Sequence, residues 1–207
     1  MKELLEDIKD AVWSSERRSD MMQIAEKHHF GFKNSQSFLT LDIDLKTFDF
    51  FGKSKKHKIK HVLTQKVEKI GGKVQVFDFY KKGAKNKCTT LVLVEAVLLD
   101  LPMFKIEKRR KRNWFRKKKV DRSIEFMGFP YFNERYQLFT EASTRQMKDL
   151  LREDVLDFLM EEGNIYLEAK GQFVLFGMKG QSIEVREISD WMAFGKLVGL
   201  SFLEEQF

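Results

Sequence analysis

Apolar and polar residues alternate with a changing rhythm along the chain. Over residues 2–28 the rhythm is helical: Leu4, Leu5, Ile8, Ala11 and Val12 form one stripe, and Met21, Met22, Ile24 and Ala25 a second. The polar stretch Ser14-Ser15-Glu16-Arg17-Arg18 between them predicts two helical pieces, the second capped by Ser19 or Asp20 and stopped by Gly31. From about residue 36 the period changes to two. Leu39, Leu41, Ile43 and Leu45 alternate with polar residues, and Phe48 and Phe50 continue the pattern. Strands are also predicted over 59–69 and 74–80, joined at Gly71-Gly72, a hairpin signal. The run 89–98 is almost continuously apolar, as in a central strand, and 103–107, 123–127 and 135–140 are shorter candidates.

Helical spacing returns at residue 143. Ser143-Thr144-Arg145-Gln146 has the form of a capping box, followed by Met147, Leu150, Leu151, Val155, Phe158 and Leu159, with Gly163 as the stop. Residues 165–167 and 173–176 predict a hairpin around Lys170-Gly171. A final helix from about Ser189 to Glu205 is apolar on nearly every side, so it is either buried within the chain or covered by a homo-oligomeric partner. Its Gly195 and Gly199 allow another backbone to come close. The expected fold is α+β: a mainly antiparallel, meander-like sheet over about 38–140, flanked by N-terminal, middle (143–162) and C-terminal helices. At this length, 1–207 reads as a single domain, with 1–35, 36–140 and 141–207 as possible subdivisions.

Composition adds a location and a charge layout. Cys88 is the single cysteine, which cannot form an internal disulfide and points to a reducing, cytoplasmic setting. The start, Met1-Lys2-Glu3-Leu4-Leu5-Glu6-Asp7, lacks the unbroken apolar core of a signal peptide. The most apolar stretch, Thr90 to Phe104, is broken by Glu95 and Asp100 and is too short to span a bilayer, so no transmembrane segment is expected. Net charge is +7, but the excess is local. Lys108, Arg109, Arg110, Lys111, Arg112, Arg116, Lys117, Lys118 and Lys119 surround Trp114 and Phe115 with no acid among them. Lys53, Lys55, Lys56, Lys58 and Lys60 form a second cluster, and Lys81, Lys82, Lys85 and Lys87 a third. These clusters hold 18 of the 38 basic residues, leaving 20 against all 31 acids elsewhere, so the chain is charge-segregated rather than uniformly basic.

Several strand motifs carry a resemblance. Met22-Gln23-Ile24-Ala25-Glu26 leads to the glycine-aromatic step Gly31-Phe32. Lys60-His61-Val62-Leu63, Val76-Phe77-Asp78-Phe79-Tyr80, Thr89-Thr90-Leu91-Val92 and Leu101-Pro102-Met103-Phe104 then follow in order. Together these resemble a family of uncharacterised bacterial proteins whose strands read Val-Phe-Asp-Tyr-x-Tyr and Leu-Pro-x-Phe. The chain departs from that pattern at Phe79, where the family has Tyr, and at Ile106-Glu107-Lys108, where the family has Pro-Glu. The resemblance supports the reality of the domain and implies no activity.

The residues that carry chemistry elsewhere are sparse here. His57 and His61 are four apart, a zinc spacing on a helix; on a strand they are about 13 Å apart, too far for one ion. His28 and His29 sit together at a helix end, where histidines meet the last carbonyls. No metal or cofactor is expected. Lys85 and Lys87 can lower the Cys88 thiol, yet no base or orienting partner accompanies it. Gly71-Gly72 and Gly177-Met178-Lys179-Gly180 lack phosphate-loop spacing. Asp42 and Asp44 share one side of a strand, while Asp78 lies inside an apolar strand and must find donors, most simply from neighbouring backbone. An enzyme would need Asp42, Asp44 or Asp78 to converge with His61 or a tyrosine in a pocket; a filled core around Asp78 favours a binding module.

A meander has a consequence for charge. Alternate connections lie at one end of an antiparallel sheet, and the three basic clusters occupy the first, third and fifth connections. The expected function is non-catalytic binding of an anionic surface by that end. A membrane fits the basic residues and the Trp114-Phe115 wedge. Nucleic acid fits the same charges and aromatics, though no nucleic-acid motif is present. An acidic protein partner and an idle solvated loop are the remaining readings.

Overall fold

The computed structural model describes residues 2–36, 47–52, 57–81, 88–109, 123–125 and 129–204, with side chains described from Ser14 onward in the first helix. The strand expected over 39–45 and most of the basic clusters lie outside the described residues. The elements in order are α1 (Lys2–His28), β1 (Gly31–Gln36), β2 (His57–Val67), β3 (Gly72–Lys81), β4 (Cys88–Ala96), β5 (Leu101–Lys108), α2 (Pro130–Arg135), β6 (Tyr136–Thr140), α3 (Thr144–Leu150), α4 (Glu153–Glu162), β7 (Ile165–Gly171), β8 (Phe173–Met178) and α5 (Ile188–Glu204). The fold is α+β, with one eight-stranded antiparallel sheet in the order β1-β2-β3-β4-β8-β7-β5-β6.

The local rhythm decides most elements, and tertiary burial corrects the rest. α1 is one helix rather than two, because its polar stretch has no glycine or proline and Arg17 turns inward to a buried partner. Gly31 opens β1 instead of only ending the helix. Residues 48–52 form a turn, not the strand expected from Phe48 and Phe50: Phe51 N donates to Phe48 O and Gly52 N to Asp49 O, and Phe48 and Phe51 are the buried pair. Of the strand expected over 123–127, Ile124 makes a single bridge to Leu138. The capping box forms as expected, with Gln146 N donating to Ser143 Oγ. The helix expected over 143–162 breaks at Leu151, and Arg152 then reaches Glu204 of α5 at 2.7 Å.

The meander stops at β4. The β7–β8 hairpin inserts between β4 and β5. Both of its strands bury four or five consecutive residues, so both faces need cover and the hairpin belongs in the middle of the sheet.

One face of the sheet carries the main core. Met21 of α1, Met147 of α3, Leu159 of α4 and Trp191 of α5 share one cluster with Val76, Val92, Ile106, Leu167 and Phe176 of the strands. α5 lies close on the sheet: a Cβ at Gly195 would stand 2.7 Å from Val74 Cγ1, so only glycine fits. Phe194 of α5 stacks on Phe158 of α4. The apolar surface that suggested a homo-oligomer is therefore largely covered within the chain, with Leu197 left exposed. The other face carries a smaller cluster of Ile59, Val62, Phe77, Phe79, Leu91, Leu93 and Leu175, covered in part by Phe48 and Phe51. No helix among the described residues is long and apolar enough to cross a membrane.

Candidate functional site

Strand direction brings the anchors of the basic clusters to one end. Every neighbouring pair in the sheet is antiparallel, and the inserted hairpin contributes two strands, so β5 keeps the direction it would have in a meander. β2 begins, β3 ends, β4 begins and β5 ends at the same rim: His57 pairs with Lys81, Tyr80 with Cys88, and Lys108 with Tyr136. Five strand intervals separate β2 from β5, about 24 Å at the usual spacing. Lys58, Lys81 and Lys108 are exposed there, and Arg109 is partly exposed. Lys53, Lys55, Lys56, Lys82, Lys85, Lys87, Arg110, Lys111, Arg112, Trp114, Phe115, Arg116, Lys117, Lys118 and Lys119 lie outside the described residues. Lys60 is committed elsewhere: its ammonium donates to Ser14 Oγ at 3.1 Å and sits over the Tyr80 ring.

Just inside the rim lies a buried ion cluster. Asp78 points to the helix-covered face with Val74 and Val76 and is 0% exposed. Arg17 of α1 clamps it from above, Nε to Oδ2 at 2.6 Å and Nη2 to Oδ1 at 3.0 Å. Thr90 Oγ1 donates to Oδ1 at 2.7 Å and accepts from Arg17 Nη2 and from Ile183 N. Arg17 Nη1 donates to the Ile183 carbonyl at 2.9 Å. His61 completes the set, its Nδ1 lying 2.9 Å from Oδ2. It gets there through a bulge: Lys60 pairs with Asp78 and Leu63 with Val76, leaving an extra residue in β2, and His61 takes a φ of 51°. That backbone is strained for a non-glycine residue, and the hydrogen bond to Asp78 offsets the strain.

Four donors thus converge on one carboxylate. Burial alone would raise the Asp78 carboxyl, but the bonds from His61, Arg17 and Thr90, with the Arg17 charge, hold it below the ordinary range. Asp78 and His61 do converge, as an enzyme reading would need, but through side chains rather than neighbouring backbone. They are 0% and 1% exposed, closed under α1, and all the carboxylate's strong acceptor positions are used. The cluster is built to hold α1 to the sheet. Nearby, burial and then the charge of Asp78 push the Cys88 thiol up, opposite to the lowering expected from Lys85 and Lys87, so it stays protonated and unreactive. His57 has no described side chain, His28 stacks on Phe30, and Asp42 and Asp44 lie outside the described residues.

A second buried carboxylate, Glu168, works on the opposite face. It accepts from Asp49 N at 2.8 Å, from Phe50 N at 3.3 Å and from the Tyr166 hydroxyl. Asp49 in turn pairs with Lys105 at 2.8 Å. This fixes the chain at Gly52, immediately before the 53–60 basic cluster. Sequence reasoning missed Arg17, Thr90 and Glu168. The available signals were an arginine within an amphipathic helix and an acid within an apolar hairpin.

No protein-family model and no curated protein sequence matches this chain. Among solved structures, an α+β fold of this kind recurs in the crystal structure of the mycobacterial trehalose monomycolate transport factor A, TtfA. The TM-score is 0.58, with 91% of this chain and 93% of that chain covered, at 11% sequence identity. At that identity the likeness is one of fold.

Proposed function

We propose that the protein is a non-catalytic binding protein that docks its basic rim on an anionic membrane surface. The observation that supports this is the shared rim: four strand ends flanking the three basic clusters leave the sheet on one side. A row about 24 Å long suits an extended anionic surface better than a single small ligand. Each basic residue close to such a surface contributes about 1 kcal/mol, weakened by salt. The closed Asp78 cluster favours a binding role over acid–base chemistry, since no substrate reaches its carboxylate. TtfA is a trehalose monomycolate transport factor; the membrane docking proposed for this chain follows from the charge layout of its rim instead.

The test is co-sedimentation with vesicles of phosphatidylcholine, with and without phosphatidylglycerol, across a salt series. The expected result is binding to the anionic vesicles only, lost at high salt. A variant with Lys82, Lys85 and Lys87 changed to Gln should bind roughly 100-fold more weakly. Binding to duplex DNA or RNA in place of vesicles would replace the membrane with nucleic acid.

A further inference from the structure

One aromatic ring at the rim is left in water. β6 begins at the rim, where Tyr136 pairs with Lys108, and α2 stands directly before it. Tyr131 of α2 is five residues from that strand end, about 8 Å along a helix axis. It is 74% exposed, more than any other large hydrophobic among the described residues. Of the four tyrosines, Tyr136 and Tyr166 are buried and Tyr80 is half-buried. Val97 and Leu98, the next most exposed, lie on the connection at the opposite end of the sheet.

A fixed frame imposes this exposure. Phe132, the next residue, is buried and stacks on Tyr136, whose hydroxyl donates to the Leu159 carbonyl at 2.6 Å. Arg135 Nη1 donates to the Met160 carbonyl at 3.1 Å, and Arg109 N to the Arg135 carbonyl at 2.7 Å. α2 is thus tied to α4 and to the end of β5. A helix turns about 100° per residue, so with Phe132 held in the core Tyr131 is carried to the outer face.

We infer that Tyr131 is an aromatic anchor that enters the head-group layer of the anionic membrane. This rests on the rim reading and adds an apolar contact to it. A phenol has an apolar ring and a polar tip, which suits the boundary between acyl chains and water. The exposed charges of the same short helix, Glu134 and Arg135, are opposite in sign, so the attraction comes from the ring itself. The anchor therefore resists salt, whereas the lysines of the rim act through charge and are screened.

Two measurements on the full chain test this. The first compares the affinity of Tyr131→Ala and Tyr131→Trp for phosphatidylglycerol vesicles at two salt concentrations. Tyr131→Ala should bind about fivefold more weakly at both, the effect of roughly 40 Å² of apolar surface leaving water, and Tyr131→Trp should bind like the unaltered protein. Unaltered affinity in Tyr131→Ala, or an equal loss in both variants, overturns the anchor and leaves the rim reading intact. The second places Tyr131→Trp in a Trp114→Phe background and adds vesicles of phosphatidylglycerol with brominated acyl chains. Quenching beyond that of Trp114→Phe alone is expected. Its absence while the protein sediments with the vesicles overturns the anchor, as does quenching by single-stranded RNA in place of vesicles, which would assign the ring to base stacking. Failure of the unaltered protein to bind any vesicle removes the rim reading and the anchor together.

Discussion

The two ends of the sheet are built differently. At the far end the connections are short and tied down. Residues 68–71 join β2 to β3, and Gly71 turns there with a φ of 59°. Gly72 follows so close to β4 that a Cβ would overlap the Glu95 carbonyl oxygen. Residues 97–100 carry the chain from β4 to β5 across the tip of the β7–β8 hairpin, where Gln172 donates to the Val97 carbonyl and Ala96 N to the Gln172 carbonyl. At the near end the connections are longer, and the sequence loads them with lysine and arginine. The far end holds the fold together; the near end displays charge on strands that are already fixed. Stability and binding should therefore separate by location.

The largest expected effect lies at the clamp beneath the near end. Arg17→Ala leaves the Asp78 charge buried without its main partner and should cost about 3–5 kcal/mol in denaturant unfolding. A loss under 1 kcal/mol would mean that α1 is held by packing alone. The same site sets the acid limit. The folded Asp78 carboxyl lies below its ordinary value of 3.8. Its stabilisation is thus complete above that pH and drains as pH falls through the folded value. The unfolding midpoint of Arg17→Ala should fall less steeply in that range than that of the unaltered protein. Next, Gly72→Ala should cost about 1–3 kcal/mol by crowding the Glu95 carbonyl, with vesicle affinity unchanged. The smallest effect on stability, within about 0.5 kcal/mol, belongs to Lys82, Lys85 and Lys87 changed to Gln, the variant expected to lose most binding. If Gly72→Ala also lost binding, or the lysine variant also unfolded, the division between the ends would fail.

This division was partly legible in the sequence. Period-two patterning marks β2 to β5, and the Ser143–Gln146 box marks the start of α3, because both depend on neighbours within a few residues. The alternating directions of β3, β4 and β5 also follow from a meander, even though the hairpin insertion between β4 and β5 does not. What stayed hidden depends on distant pairs. Arg17 and Asp78 are 61 positions apart, and Glu168 and Asp49 are 119 apart. Nothing local says that an arginine in a polar stretch turns inward. His61 occupies an ordinary strand position by pattern, and only the bulge aims it at Asp78. The turn at 48–52 imitates a strand because Phe48 and Phe50 satisfy period two, while the buried pair is Phe48 and Phe51.

The most direct measurement is tryptophan emission of the full chain mixed with phosphatidylglycerol vesicles at low salt. Trp191 is 2% exposed under α4 and the sheet, so it should report little. Insertion of Trp114 at the rim should shift emission to the blue. The shift should fade as salt rises, be absent with phosphatidylcholine alone, and disappear in Trp114→Ala. An unchanged spectrum at low salt, with the protein folded, would contradict membrane docking by this end of the sheet.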